Sequence, residues 1–297
     1  IIEGSDPIDV TPIRNTTSTG DVTFGATNGS AVITVTDTAH GAILNDFVTF
    51  SGAASLGGLI TAAVLNQEYQ VTSVVDNNSY TITATATANS SDTGNGGSST
   101  VGAYQINTGL NTVSSGSGWG AGPYSRGTWG SAADTSVVGS QLRLWSMDNF
   151  GEDLLSNVRG GGIYYWDSSS GTGTRAVDIT TIGGAASPPQ VANIVLVSER
   201  DRHALAFGCD PQGDPGNQDP LTIRFSNQGS VSDWAATATN TAGELRIGTG
   251  TEIIAAVQTK QQIVVITDRS VSAMQFIGTP FTFGITEVST NTSIISQ

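Results

Sequence analysis

The stretch from Leu142 to Asp167, LRLWSMDNFGEDLLSNVRGGGIYYWD, constrains the fold more than any other part of the chain. It reads as three short strands, LRLWSM, EDLLSNV and IYYWD, separated by the corner DNFG and the run Gly160-Gly161-Gly162. Aliphatic and aromatic residues fill the strands. Asn, Asp and Gly fill the corners, as pleated strands and tight turns require. Three strands in under thirty residues leave room for hairpins and none for crossovers, so the unit is an antiparallel meander. A meander of this size is the form of a β-propeller blade.

The later chain repeats this texture. Ile194 to Ser198 and His203 to Gly208 read as a hairpin with a charged turn. Leu221 to Ser226 is a strand leading to a corner at Trp234, and ELRIG is a short one. Ile253 to Gln258, Ile263 to Thr267 and Ser270 to Ile277 follow, while RAVDITTIG and Pro188-Pro189 read as connections. LRLWSMDNFGEDLL, IVLVSERDRHALAF, LTIRFSNQGSVSDW and IVVITDRSVSAMQF share one plan: an apolar strand, a polar corner, a second strand. Self-similar β-units at such spacing indicate a propeller or an array. Radial packing of blades hides strand edges, which suits many short strands. The visible units supply three or four blades, short of a closed ring. With no initiator Met and no ending signal at Gln297, the expectation is a piece of a longer protein.

The first third differs. Ile8 to Ile13 reads as an extended strand that Pro12 confines to an edge or an end. From Thr16 to Thr108, Thr, Ser, Ala and Asn dominate. SAVITVTD alternates with a period of two, and Phe47 to Ser51 is another strand. Tyr69 to Val75 and Tyr80 to Ala86 read as a hairpin about Asp76-Asn77-Asn78. Asn89 to Ser99 reads as an exposed loop. The expected fold is therefore all-β: a propeller-type domain over 1–15 and 109–297, with a small β-barrel or sandwich inserted at 16–108. Residues 109–140 are Gly- and Ser-rich. Trp119 and Trp129 there could anchor the loop on its own domain or on a neighbour. With Tyr164, Tyr165 and Trp166 they are the candidate interaction residues.

Charge narrows the function classes. Of 297 residues only 12% are charged, the net charge is −14, and Lys260 is the one lysine. Sequence-independent nucleic-acid binding needs clustered Lys and Arg, which this chain lacks. The single Cys209 forms no intrachain disulfide. No apolar run approaches the roughly 20 residues of a membrane helix.

Candidate chemistry is sparse. Glu152 and Asp153 are paired carboxylates, but neighbours on a strand face opposite ways, so they read as a polar corner. His40 and His203 lie far apart and give no metal spacing. Asp210, Asp214 and Asp219, on a loop with Gly213 and Gly216, are weak candidates for calcium ligands without the EF-hand pattern. SNQGSVSDW resembles the Asp-box of sialidase-type propellers, a fold-stabilising turn, with Gln228 in the acidic place. No catalytic set and no cofactor motif stand out, so an enzyme is not expected.

Taken in order, IDVTPIR, LWSMDNFGEDLLSNVRGGGIYYWD, SERDRHALAFGCD, DPLTIRFSNQGSVSDWAATATNTAGELRIG and QTKQQIVVITDRSVSAMQFIGTPFTFGITEVSTNTSIIS resemble the phage tail nozzle family, the tail tubular protein B-like components of short-tailed bacteriophages. The resemblance covers roughly 8–15 and 140–297. It implies a virion tail protein with a β-propeller, assembled as a six-fold ring below the portal adaptor. DNA passes through such a ring without specific binding, and tail fibres attach near its wall. This chain is shorter than is common in that family. Two other classes remain: a carbohydrate-binding or depolymerising tail spike, which needs paired carboxylates in an aromatic cleft, and a surface adhesion module.

Overall fold

The computed structural model describes residues 2–3, 6–109, 143–278, 281–292 and 294. The architecture is all-β, and its sheets are antiparallel throughout. Two compact units divide the chain, Thr11–Leu142 and Ile1–Val10 with Arg143–Gln297. No helix among the described residues is long and apolar enough to cross a membrane. In the second of these units, β1 (Ile2–Glu3) and β2 (Asp6–Pro7) pair at the start of the chain.

The Thr11–Leu142 unit has β3 (Ile13–Thr16), β4 (Thr23–Ala26), β5 (Val32–Thr36), β6 (Phe47–Ser51), the one-turn helix α1 (Ala62–Leu65), β7 (Glu68–Gln70), β8 (Ser73–Asp76), β9 (Ser79–Thr83), β10 (Asp92–Asn95) and β11 (Val101–Gln105). They form two sheets, in the orders β10-β4-β5-β9-β8 and β3-β11-β6-β7. The period of two in β5 buries Ile33 and Val35 and exposes Val32, Thr34 and Thr36. Phe24 of one sheet meets Phe50 of the other edge-on, with ring centroids 5.0 Å apart. A Cβ at Gly96, where φ is +140°, would lie 2.8 Å from the Phe24 ring, so this close approach needs glycine.

In Arg143–Gln297 three four-stranded meanders follow one another. They are β12 (Trp145–Phe150), β13 (Asp153–Val158), β14 (Ile163–Trp166) and β15 (Val177–Asp178); β16 (Ile194–Ser198), β17 (His203–Phe207), β18 (Thr222–Phe225) and β19 (Gly243–Arg246); and β20 (Ile253–Gln258), β21 (Ile263–Thr267), β22 (Val271–Gly278) and β23 (Thr282–Ser289). Each sheet keeps its strands in sequence order. The first strands are neighbours: β16 lies against β12 on one side and β20 on the other. Side chains of β12 cap the free edge of β16. Val195 N–H donates to Ser146 Oγ at 2.9 Å, and Val197 N–H to Asp148 Oδ2 at 2.8 Å. An edge strand so capped offers fewer open N–H groups to another chain. Two cores fill the spaces between sheets, one around Leu205, Phe225, Val265 and Phe283, the other around Leu155, Ile163, Val195 and Trp234.

Several sequence expectations are corrected. The first corner is not DNFG: Asp148 to Phe150 belong to β12, and the turn is Gly151-Glu152, with Gly151 at φ +75° closing a two-residue hairpin. The expected strand Tyr69 to Val75 breaks at Val71-Thr72, so that β7 and β8 join different sheets. Asn89 to Ser99 is not all loop, because β10 pairs with β4. Extended structure at the start resumes at β3, after Pro12. The connection after Trp166 contributes β15, which makes the first meander four-stranded. The segment after Phe281, not read as a strand, forms β23. The fourfold repeat was also out of phase. LRLWSMDNFGEDLL and IVLVSERDRHALAF hold first and second strands, whereas IVVITDRSVSAMQF holds the second and third of its sheet. LTIRFSNQGSVSDW supplies only β18, since its second half is a turn that buries Trp234.

Candidate functional site

A buried polar centre is built on β18. This strand is covered on both faces, so Thr222 and Arg224 are as buried as Ile223 and Phe225. The Arg224 guanidinium donates to the carbonyls of Ser187, Asp210 and Trp234, drawing three loops onto one side chain. Ser187 sits at φ +47°, a strained position for a non-glycine residue that the Arg224 contact helps to hold. Trp234 is fully buried, and its Nε1–H donates to Val231 O at 2.8 Å. The turn Asn227–Ser230 and this indole make SNQGSVSDW a structural corner.

The three loop aspartates are engaged separately. Asp210 is fully buried and accepts the backbone N–H groups of Gln190, Val191 and Gly216 at 2.9–3.1 Å. Asp214 accepts from Asn217 Nδ2. Asp219 accepts from Leu221 N–H and Thr222 Oγ1, and pairs with Arg246 Nε at 2.6 Å. Burial works to raise the Asp219 pKa, but Arg246 and these donors bring it below the usual carboxylate value. No group of three His, Cys, Asp or Glu placed to hold a metal occurs among the described residues.

Trp119 and Trp129 lie outside the described residues. Tyr164, Tyr165 and Trp166 share β14. Trp166 is buried with its Nε1–H on Thr174 O, and Tyr165 O–H donates to Asp153. Asp153 also accepts Ser168 N–H and Oγ at 2.9 Å, so it tethers β13 to the end of β14. Half-buried Tyr164 stands opposite Asp178 in the register. His40 Nε2–H donates to Asp76 O, and its Nδ1 accepts Ala42 N–H, a structural role. Burial pushes the Cys209 thiol pKa far up, which keeps it unreactive near neutrality.

His203 is fully buried among Phe225, Phe276 and Phe283, and its Nδ1–H donates to Ser226 O at 2.7 Å. Burial lowers its pKa below 6.5, against the opposing influence of that hydrogen bond and of Asp201. A depressed histidine contributes full stability above the unfolded pKa and loses it as the unfolded chain takes up a proton below it. The urea midpoint should therefore fall on acidification from about pH 7 to about pH 5.5. His203→Phe should flatten that part of the profile, whatever its absolute stability. An unchanged slope in this variant would assign the acid sensitivity elsewhere.

Sequence reasoning missed a cleft between two hairpin tips. The β16–β17 turn supplies Arg200 and Asp201, the β20–β21 turn supplies Lys260 and Gln262, and Phe276 and Phe283 form the floor. The cleft is shallow, with an enclosed volume of about 90 Å³. No motif joins residues sixty positions apart, and the packing of β16 against β20 brings these two turns together.

No protein-family model matches the sequence, and no curated protein matches it. Among solved structures, the chain is similar to the phage phi92 endosialidase at 11% identity and a TM-score of 0.26, over 88% of this chain and 35% of that one. The chain thus spans about a third of that structure's length, and a likeness at this level transfers neither fold nor activity.

Proposed function

We propose that this chain is a structural protein of a phage virion, a tail component whose meanders are propeller blades in the wall of a nozzle-like ring. One observation carries the reading: three consecutive four-stranded meanders whose first strands β12, β16 and β20 are neighbours. Blades fanning from an axis have that arrangement, with the first strand innermost. These meanders occupy the same tracts on which the tail nozzle resemblance rests. In this reading the subunit is one of six, meets the portal adaptor and tail fibres, and lets DNA pass. A net charge of −14 suits passage without grip, because acidic walls repel phosphate. Native mass spectrometry and electron microscopy of the full-length protein should show a six-fold ring that joins a portal–adaptor assembly. A monomer or trimer that never joins it would end the proposal. The second reading, a carbohydrate-binding tail or surface module, is favoured by the cleft between the hairpin tips.

A further inference from the structure

We propose that the cleft between the β16–β17 and β20–β21 turns is a binding site for an acidic sugar, a pyranose carrying a carboxylate. The inference deepens the carbohydrate reading and is independent of whether the chain forms a ring.

Three features point to this class. The first is an apolar floor open to solvent. Phe276 is 41% exposed, and Phe283 braces it edge-on at 5.6 Å between ring centroids. Exposed aromatic surface in a cleft suits the apolar C–H groups of a pyranose. The second is an excess of positive charge. Arg200 and Lys260 line the cleft, and among the described residues neither is paired with a carboxylate. Asp201 also lines it and keeps its negative charge while accepting from Ser198 Oγ at 3.3 Å, so the lining carries one positive charge in excess. Lys260 is the one lysine of a strongly acidic chain, so the local excess of cations runs against the composition. A guanidinium on one turn and an ammonium on the other can each meet a carboxylate through charge-assisted hydrogen bonds.

The third is a set turn geometry. Thr259 N–H and Oγ1 both donate to Gln262 O, closing the β20–β21 turn, and Gln275 Nε2 donates to Gln262 Oε1 at 2.8 Å. The opposite turn is fixed by Arg202 N–H on Ser198 O and by Gln228 Nε2 on Asp201 O. Amide side chains held at the rim can serve sugar hydroxyls, and a site held before binding loses less entropy on binding. A nucleic-acid strand fits less well. Two cations in one cleft do not make the basic track that a phosphate backbone needs.

The test uses the full chain and three probes: glucuronate, N-acetylneuraminate and glucose. Ligand-detected NMR should show at least one acidic sugar binding with a Kd on the order of 1 mM, in the range expected for a small ligand in a shallow site. Arg200→Gln and Lys260→Gln, both on exposed turns, should each raise that Kd about 5- to 10-fold while leaving the circular dichroism unchanged. Glucose should bind at least as weakly as the acidic sugar does to those variants. Absence of binding by both acidic sugars, or an unchanged Kd in the double variant, would overturn the site. Equal binding of glucose would overturn recognition of the carboxylate. Full displacement by acetate at an equal concentration would reduce the site to a simple anion site and overturn the sugar.

Discussion

Arg224→Met is expected to destabilise the fold by about 3–5 kcal/mol, read as a fall in the urea midpoint. The size follows from what remains behind. Methionine fills much of the volume, so the hydrophobic loss is small. The carbonyls of Asp210 and Trp234 stay buried and lose their donor, while that of Ser187, an exposed residue, loses its donor where water can replace it. Each orphaned acceptor costs about 1–3 kcal/mol, moderated where a neighbour relaxes. The Asp210 carboxylate loses a nearby positive charge as well, although its three backbone donors remain. Burial already lowers the Arg224 pKa, and its Nε faces no acceptor among the described residues, so the native arginine carries a desolvation cost of its own. That cost is why the expected loss stays below the full sum of these losses. Arg224→Lys should fall between the two, because one ammonium cannot span three divergent carbonyls. A loss under about 1 kcal/mol for Arg224→Met would mean that the loops do not depend on the fork.

The same residue shows where sequence reading stops. In LTIRF, alternation separates Thr222 and Arg224 from Ile223 and Phe225, which suggests a polar face in solvent. β18 is covered on both sides, so the polar face became a buried hydrogen-bonding centre. Strands rich in Val, Ile and aromatics, such as β5, β16 and β21, were legible because their own residues ask for a half-buried pleat. β10, with the sequence DTGN, has no such preference and exists because β4 offers it an edge. The break between β7 and β8 is likewise imposed from outside. EYQVTSVVD reads as one strand, but its halves find partners in different sheets. Of the candidate site, the aspartates and β14 aromatics could be named in advance, but not what they touch. Asp210 is set by loops that come together only after folding, and the cleft at Arg200 and Lys260 by the packing of two hairpins.

Alkaline pH should cost the Thr11–Leu142 unit about 5 kcal/mol between about pH 10 and about pH 12, through two tyrosines. Tyr80 and Tyr104 are both fully buried, and their hydroxyl oxygens lie 2.9 Å apart. Tyr104 O–H donates to the buried Asp37 carboxylate at 2.6 Å, so the shared proton between the phenols belongs to Tyr80. Burial is the main reason that both pKa values rise well above 10, and the negative charge of Asp37 adds to it. The Arg14 guanidinium, 5.5 Å from the Tyr104 ring centre, opposes the rise at Tyr80 without overcoming it. A phenol whose folded pKa is raised contributes its full stability below the unfolded value. That stability is lost as pH climbs, at about 1.4 kcal/mol per pH unit for each tyrosine. An ultraviolet titration should therefore show tyrosinate from Tyr80 and Tyr104 appearing only as the β-sheet circular dichroism is lost. Tyr80→Phe should halve the alkaline slope while leaving the Tyr104–Asp37 bond in place. If both phenols ionised near pH 10 with the sheet signal intact, water would have to reach the Tyr80–Tyr104–Asp37 chain in the native state, and the tight core between the two sheets would be the part of the description to give up.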